Sequence, residues 1–379
     1  MIVPDHKPMS ETFENLPTEA LMRKARDVRE AHWGRTVTYS RKVFVPLTNM
    51  CRDTCGYCTF VKHPDDPEAE ILTPDQVLAQ AKRGERKGCK ELLFSLGEKP
   101  EQRYEKAQRG LAQLGYTRMT DYLADMCALV LQETTLLPHV NAGTLSDDEI
   151  DRLKPVSASM GMMLETISRR LTRKGGPHHA CPDKVPVQRL RTLERTGQKK
   201  VPFTTGLLIG IGETWDERIE ALHAINAAHA RHGNIQEVII QNFQRKPDIA
   251  MALHPEPPLD DMLRTIAAAR IILNPEISLQ APPNLHKRHI AYLEAGINDW
   301  GGISPVSIDF INPQHDWPEI RTLSESCASA GFDLQERLTV YPRFLGERSA
   351  YLEPELARRI AVMARQDGLA VQQCLEAAE

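Results

Sequence analysis

The sequence predicts an α/β fold, a TIM-type (β/α) barrel with helical N- and C-terminal extensions, and three observations carry that expectation. From about residue 43 short apolar runs alternate with helical stretches, eight such runs can be counted, and no long Gly/Ser linker or low-complexity break interrupts them. A chain of 379 residues suits one elaborated barrel.

The first strand is expected at VFVPLT (43–48), where β-branched and aromatic residues dominate. ELLFSL (91–96), LLPHVN (136–141), VSASMGMML (156–164) and FTTGLLIG (203–210) supply the second to fifth. EVIIQNF (237–243), ISLQAP (277–282) and PVSIDF (305–310) complete the eight. Between them TPDQVLAQAKRG opens a helix with Thr73 as N-cap and Pro74 at the first helical position. DYLADMCALVLQE repeats apolar residues at helical spacing. Residues 1–40 read as a helical lead-in, 41–345 as the barrel, and 346–379 as a closing helical extension. In such a barrel the reactive groups belong in the loops after strand C-termini.

Composition narrows the function. Hydrophobic residues make up 41% and charged residues 26%, a globular balance. The net charge is -4 with no basic stripe, so nucleic acid is not an expected partner. The first thirty residues lack the apolar core of a signal peptide. No later window offers the roughly 18 apolar residues of a membrane helix, so a soluble cytoplasmic protein is expected. Eight cysteines are too few for a disulfide scaffold, but three of them fall within eight positions.

Those three, Cys51, Cys55 and Cys58 in TNMCRDTCGYCTF, form C-x-x-x-C-x-x-C directly after the first expected strand. Structural zinc normally takes a fourth protein ligand, and no second Cys or Cys/His pair lies nearby. A four-iron cluster held by only three thiolates keeps one iron open for an exogenous chelator. The sequence leaves open a zinc knuckle completed by His63 or a remote residue such as Cys181, and plain buried thiols. Cys89, Cys127, Cys181, Cys327 and Cys374 lack close cysteine partners, so a single cluster is expected.

The spacing, with the aromatic Tyr57 before the last cysteine, resembles the signature of the radical S-adenosylmethionine superfamily. The resemblance implies one [4Fe-4S] cluster on Cys51, Cys55 and Cys58, with S-adenosylmethionine chelated at the open iron and split by one electron to methionine and a 5'-deoxyadenosyl radical. It implies further cofactor contacts. Gly97 and Glu98 in SLGE resemble the Gly-Glu segment that meets the methionyl ammonium, although such a pair is also an ordinary turn. Glu165 in GMMLETIS stands where related enzymes direct an acid toward the ribose or amine. Arg189 matches an arginine that reaches the cofactor carboxylate, the alternative being a solvated helix charge. Gly206, Gly210, Gly212 and Glu213 in GLLIGIGET resemble the G-x-I-x-G-x-x-E pattern near adenine, where glycine permits close backbone approach.

Three longer segments, TYSRKVFVPLTNMCRDTCGYCTF, VPFTTGLLIGIGETWDERIEAL and AGINDWGGISPVSIDFINPQHDWP, resemble one family across residues 38 to about 345. It is the 7,8-didemethyl-8-hydroxy-5-deazariboflavin synthase (FO synthase, CofG) family of coenzyme F-420 biosynthesis. The resemblance implies a substrate of the 5-amino-5-(4-hydroxybenzyl)-6-(D-ribitylimino)uracil type, a tyrosine-uracil adduct made by the partner subunit CofH. It also implies a lyase reaction: hydrogen abstraction, ring closure with loss of ammonia, and oxidation to the deazaflavin. An electron donor such as ferredoxin or flavodoxin is implied as well.

Such a substrate needs polar partners and apolar walls. Candidate contacts are His139 and Asn141 ending the third strand, Gln241 and Asn242 ending the sixth, Asn284 after the seventh, and Asn298, Asp299 and Trp300 before the eighth. Asp299 is the first choice for substrate contact or proton transfer, against a turn-capping role; Trp300 is also a core candidate. His178 and His179 in KGGPHHACPDK are candidates for moving protons, since imidazole titrates near neutrality, against a solvated loop. Two other functions compete: a related radical enzyme of the tyrosine-using or menaquinone-cyclase type, and a non-catalytic iron-sulfur carrier or sensor.

Overall fold

A computed structural model describes residues 16–346 and 348–371, and statements of absence below refer to these residues. Cys374 and the outer parts of both expected extensions lie outside them. The elements run α1 (Thr18–Trp33), β1 (Thr36–Pro46), α2 (Pro74–Arg86), β2 (Glu91–Ser95), α3 (Glu105–Gln113), α4 (Met119–Glu133) and β3 (Leu137–Asn141). They continue with α5 (Asp147–Leu153), β4 (Ser159–Gly161), α6 (Pro186–Gln198), β5 (Phe203–Ile209), α7 (Trp215–His232), β6 (Ile235–Asn242) and α8 (Leu259–Ile272). The last are β7 (Ser278–Gln280), α9 (Ala291–Ala295), β8 (Asp299–Ile303), α10 (Ile320–Ser329), β9 (Asp333–Glu336) and α11 (Pro354–Met363).

Strands β1 to β8 pair in parallel and in order, and β8 returns to β1, closing the barrel. β1 is long enough to serve two neighbours on one edge. Lys42–Pro46 pair with β2, while Thr36–Tyr39 pair with β9, which lies below β2 at the N-terminal end. Helix starts follow local chemistry. Thr73 and Gln76 form a capping box at α2, and Thr214 and Glu217 form another at α7, each filling two otherwise unpaired donors. The main apolar core lies between the strands and the surrounding helices, with Val43, Phe94, Phe203, Ile240 and Leu279 among its fully buried members.

The expected αβ alternation is present, with three corrections. PVSIDF (305–310) is a loop, and the eighth strand is DWGGI, just upstream. Two glycines and an aspartate hide that strand from a propensity reading. Residues 36–40 are the start of β1 rather than lead-in. The closing helix is only Pro354–Met363, after which Ala364 bridges back to Ala370.

The segment after β9 crosses the N-terminal end of the barrel. Arg337 N–H donates to the Tyr39 carbonyl at 2.8 Å, and the Thr339 carbonyl accepts from Gln236 Nε2 at 3.1 Å. Leu338, Val340, Tyr341 and Phe344 pack with Leu137, Ala158, Leu356 and Ile360 into a second apolar cluster that seals this end. Among the described residues no helix is long and apolar enough to cross a membrane.

Candidate active site

The opposite end holds a cavity of about 350 Å³ that runs from the loop after β1 down into the barrel. Cys51, Cys55 and Cys58 all line it, and none forms a disulfide. The loop is fixed from two sides. The backbone N–H groups of Asp53 and Glu98 point at Cys51 Sγ, at 3.4 and 3.1 Å. Such donors stabilise a sulfur that carries negative charge as a ligand. Gly97 makes the approach of β2 possible, because a Cβ there would come within 1.9 Å of the Met50 carbonyl oxygen and 2.8 Å of Cys51 Cβ. Three thiols on one loop, facing one cavity and served by backbone donors, fit an iron-sulfur cluster with three protein ligands.

Beside the thiols lies a buried charged wall. Glu98 accepts from Thr144 N–H at 2.6 Å and from Thr144 Oγ1, and its other oxygen stands 3.8 Å from Arg189 Nη2. Burial pushes the Glu98 carboxyl up to about 7, against the opposing pull of Arg189. Gly143 leaves room for it, since a Cβ there would meet Glu98 Oε2 at 2.2 Å. Arg189 also donates to the Met163 carbonyl at 2.5 Å. Glu165 has φ 64°, a left-handed backbone that costs an ordinary residue about 1–2 kcal/mol. Hydrogen bonds from its N–H to the Gly206 carbonyl and from Leu208 N–H to its own carbonyl hold it there. Its carboxylate accepts from Lys184 Nζ at 2.7 Å. Burial alone would raise this carboxyl, but Lys184 and Arg189 hold it below the usual carboxylate range.

Gly97, Glu98, Glu165 and Arg189 therefore share the cavity with the cysteines, and His139, Asn141 and Gln241 also line it. The rest of the expected set lies elsewhere. Tyr57 packs edge-on to His178, with its hydroxyl 3.0 Å from Nε2, behind the cysteine loop. Burial, reinforced by Lys184, lowers His178 to about 3, so it is a neutral structural partner near pH 7; His179 is exposed. Gly210 has φ 85° in a turn whose N–H groups at 210 and 211 donate to Glu213 at 2.8 and 2.9 Å. Glu213 also binds Arg218 Nε at 2.6 Å, so it braces its own loop instead of facing the cavity.

The late segment needs the largest correction. Asn298 Oδ1 accepts from Leu279 N–H and Arg270 Nη2, and its amide donates to Ser278 Oγ. Asp299 is fully buried, accepting from Gly301 N–H at 2.5 Å, Arg337 Nε at 2.6 Å and Thr38 Oγ1. Trp300 is core, with its indole N–H on Cys327 Sγ at 3.3 Å. These residues begin β8 at the sealed end, whereas loop chemistry requires the other end. Asn242 is buried outside the cavity, and Asn284 donates to Asp309 Oδ2 at 3.0 Å in a nearby loop.

Several cavity groups escaped the sequence reading. Asp53, Lys42, Glu91, Glu237, Gln280 and Arg337 all line it. Alternation along the strands was the available signal: Lys42 with Phe44, Glu91 with Leu93, and Glu237 with Ile239 share a face at period two. Arg337 arrives from beyond β9 and had none. Cys181 sits beside Cys55, hydrogen-bonded to its thiol.

Comparison with known proteins fits this geometry. Residues 45–225 match the radical SAM superfamily. The chain is 45% identical over 336 residues to 7,8-didemethyl-8-hydroxy-5-deazariboflavin synthase of Methanopyrus kandleri, covering 88% of this chain and 99% of that protein. It is 48% identical over 355 residues to FO synthase of Nocardia farcinica, covering 90% of this chain but only 41% of that longer protein. Among solved structures, the FeFe-hydrogenase maturase HydG from Carboxydothermus hydrogenoformans superposes with a TM-score of 0.70 at 18% identity, over 93% of this chain and 85% of that one.

Proposed function

The chain belongs to the 7,8-didemethyl-8-hydroxy-5-deazariboflavin synthase family of radical SAM enzymes, and from that membership we propose that it catalyses the ring-closing stage of FO formation. The substrate of this reading is the 5-amino-5-(4-hydroxybenzyl)-6-(D-ribitylimino)uracil-type adduct. In closing its third ring with loss of ammonia it would give up a hydrogen atom, then an electron and a proton, and S-adenosylmethionine, ending as 5'-deoxyadenosine and methionine, would be the net two-electron acceptor, which makes the enzyme formally an ammonia lyase. The observation that carries the reading is one cavity that joins three loop thiols to a buried acid and arginine, in a chain matching a full-length synthase.

In this reading Cys51, Cys55 and Cys58 would hold a [4Fe-4S] cluster, and Glu98, Glu165 and Arg189 would hold S-adenosylmethionine. Bound together, these groups supply the hydrogen-atom abstraction that opens the reaction. The chain's own residues do the positioning. Glu98 offers a carboxylate to an ammonium, Arg189 offers a planar fork to a carboxylate, and the closed barrel excludes water from a reactive intermediate. In this reading a partner activity, CofH, supplies the adduct.

The test is anaerobic turnover of the cluster-reconstituted protein with S-adenosylmethionine, a reductant and partner-generated adduct, following 5'-deoxyadenosine by mass and FO by fluorescence. Adduct-dependent appearance of both is expected, and Cys55→Ala should lose both while remaining folded. Deoxyadenosine without FO would reject the substrate; neither product from a protein with verified cluster and adduct would reject the reaction.

A further inference from the structure

(β/α) barrels ordinarily fill their interior with layers of branched apolar side chains. Here the layer nearest the sealed end carries Lys42, Glu91, His139, Glu237, Gln280 and Arg337, and all six line the cavity. Lys42 pairs with Glu91 at 2.7 Å, and Arg337 with Glu237 at 3.1 Å. Buried ion pairs are commonly no more stabilising than apolar side chains of similar volume, so packing alone does not account for them.

Three glycines clear space for these groups. A Cβ on Gly161 would stand 2.8 Å from His139 Nε2, one on Gly301 1.9 Å from Gln280 Nε2, and one on Gly302 2.3 Å from Lys42 Cε. The floor also keeps hydrogen-bonding capacity in hand. Lys42 spends one of its three donors on Glu91, and His139 meets Ser159 Oγ through Nδ1 at 2.6 Å, leaving Nε2. The Gln280 amide, 7% exposed, has no hydrogen-bond partner among the described residues. Above the floor the lumen is mainly apolar, with Phe44, Leu93, Leu208, Ile239 and Trp317 lining it and Ser95, Asn141 and Gln241 as polar exceptions at the strand ends.

We propose that this floor is the subsite for an open-chain polyol, the ribityl chain of the substrate, and that Lys42 and Gln280 are its main specificity contacts. The proposal rests on the functional reading above, which gives the substrate that chain. A row of hydroxyls needs donors and acceptors together, and the floor offers an ammonium, two carboxylates, an imidazole nitrogen and a primary amide. Hydroxyls left in the apolar belt would lose their hydrogen bonds at a cost. The polyol does not react, so anchoring it at the far end fixes the reacting rings between the belt and the cysteine loop.

The probe is FO itself, compared with its congener bearing ethyl in place of ribityl, bound to the cluster-loaded protein and followed by fluorescence. Wild type should prefer FO by about tenfold or more, the scale of one or two well-placed hydrogen bonds. Gln280→Met keeps volume and buries no lone charge; it should bring the preference toward unity while leaving affinity for the ethyl congener unchanged. Lys42→Met is the second variant and should act in the same direction. Equal affinities in wild type, an undiminished preference in Gln280→Met, or no binding of either compound overturns the floor assignment. Turnover in the same preparation reports separately. FO made without a side-chain preference keeps the reaction and rejects the subsite; a preference without FO formation keeps the subsite and rejects the reaction.

Discussion

The backbone N–H of Glu98 lies 3.1 Å from Cys51 Sγ, so the end of β2 and the cysteine loop after β1 are joined at the sulfur itself. The contact depends on Gly97, whose missing side chain lets the two loops touch.

Gly97→Ala should therefore damage the site more than the fold. The added methyl meets the Met50 carbonyl and must push the loops apart, at about 1–3 kcal/mol of overpacking. Iron content after reconstitution should fall severalfold while the circular dichroism spectrum is retained. Normal iron loading would show that the loops adjust without cost to the thiols.

Asp299→Asn should act on stability. Asp299 and Arg337 are both buried, and Asn would leave the guanidinium with Glu237 at 3.1 Å as its one charged partner, so the loss should stay below the roughly 3–5 kcal/mol of a fully broken buried pair. Urea denaturation measures it. A variant of native stability with turnover lost would return Asp299 to the chemistry.

Glu213→Gln should loosen the turn at Gly210. It weakens two backbone hydrogen bonds and the ion pair to Arg218, which keeps Asp261 at 2.7 Å. About 1–3 kcal/mol of stability should go, the range for buried groups left poorly satisfied. Turnover by the folded fraction should change little, and a large loss there would place Glu213 at the cofactor.

His139 adds a pH dependence. Burial, with Lys42 and Arg337 nearby and against the pull of Glu91, lowers it to about 4. Between about 6.5 and 4 the unfolded chain takes up a proton that the folded chain refuses, so stability falls as pH drops through that window. His139→Gln should flatten this part of the melting-temperature profile relative to wild type. Superimposable slopes would mean that His139 protonates in the folded protein as easily as in the unfolded chain.

The cysteine loop was legible because its chemistry is local: three thiols at short spacing cannot help facing one another. Glu98, Glu165 and Arg189 were reached through resemblance, and the cavity collects all three. A glutamate three residues after a glycine serves a ligand or its own turn equally well in sequence, and the fold turns the Glu213 carboxylate back onto its own loop. PVSIDF carries the stronger strand propensity, which puts Asn298 and Asp299 in a loop before it; Asp299 in fact begins β8 and Asn298 directly precedes it, both at the sealed end in either reading. The charged floor is assembled from five separate strands and the segment after the last one, so period-two alternation marks single members such as Lys42 and Glu91 but not which of them meet.

The segment Arg337–Tyr341 turns the barrel into a blind well. A molecule that reaches the bottom has to pass the cysteine loop on the way in and again on the way out. A well closed at that end predicts an order: the deeper guest should arrive before the rim is occupied and leave after the rim has cleared. Order of addition is written into the shape of the vessel, and an inert compound lodged at the rim would trap the deeper guest without competing for its seat.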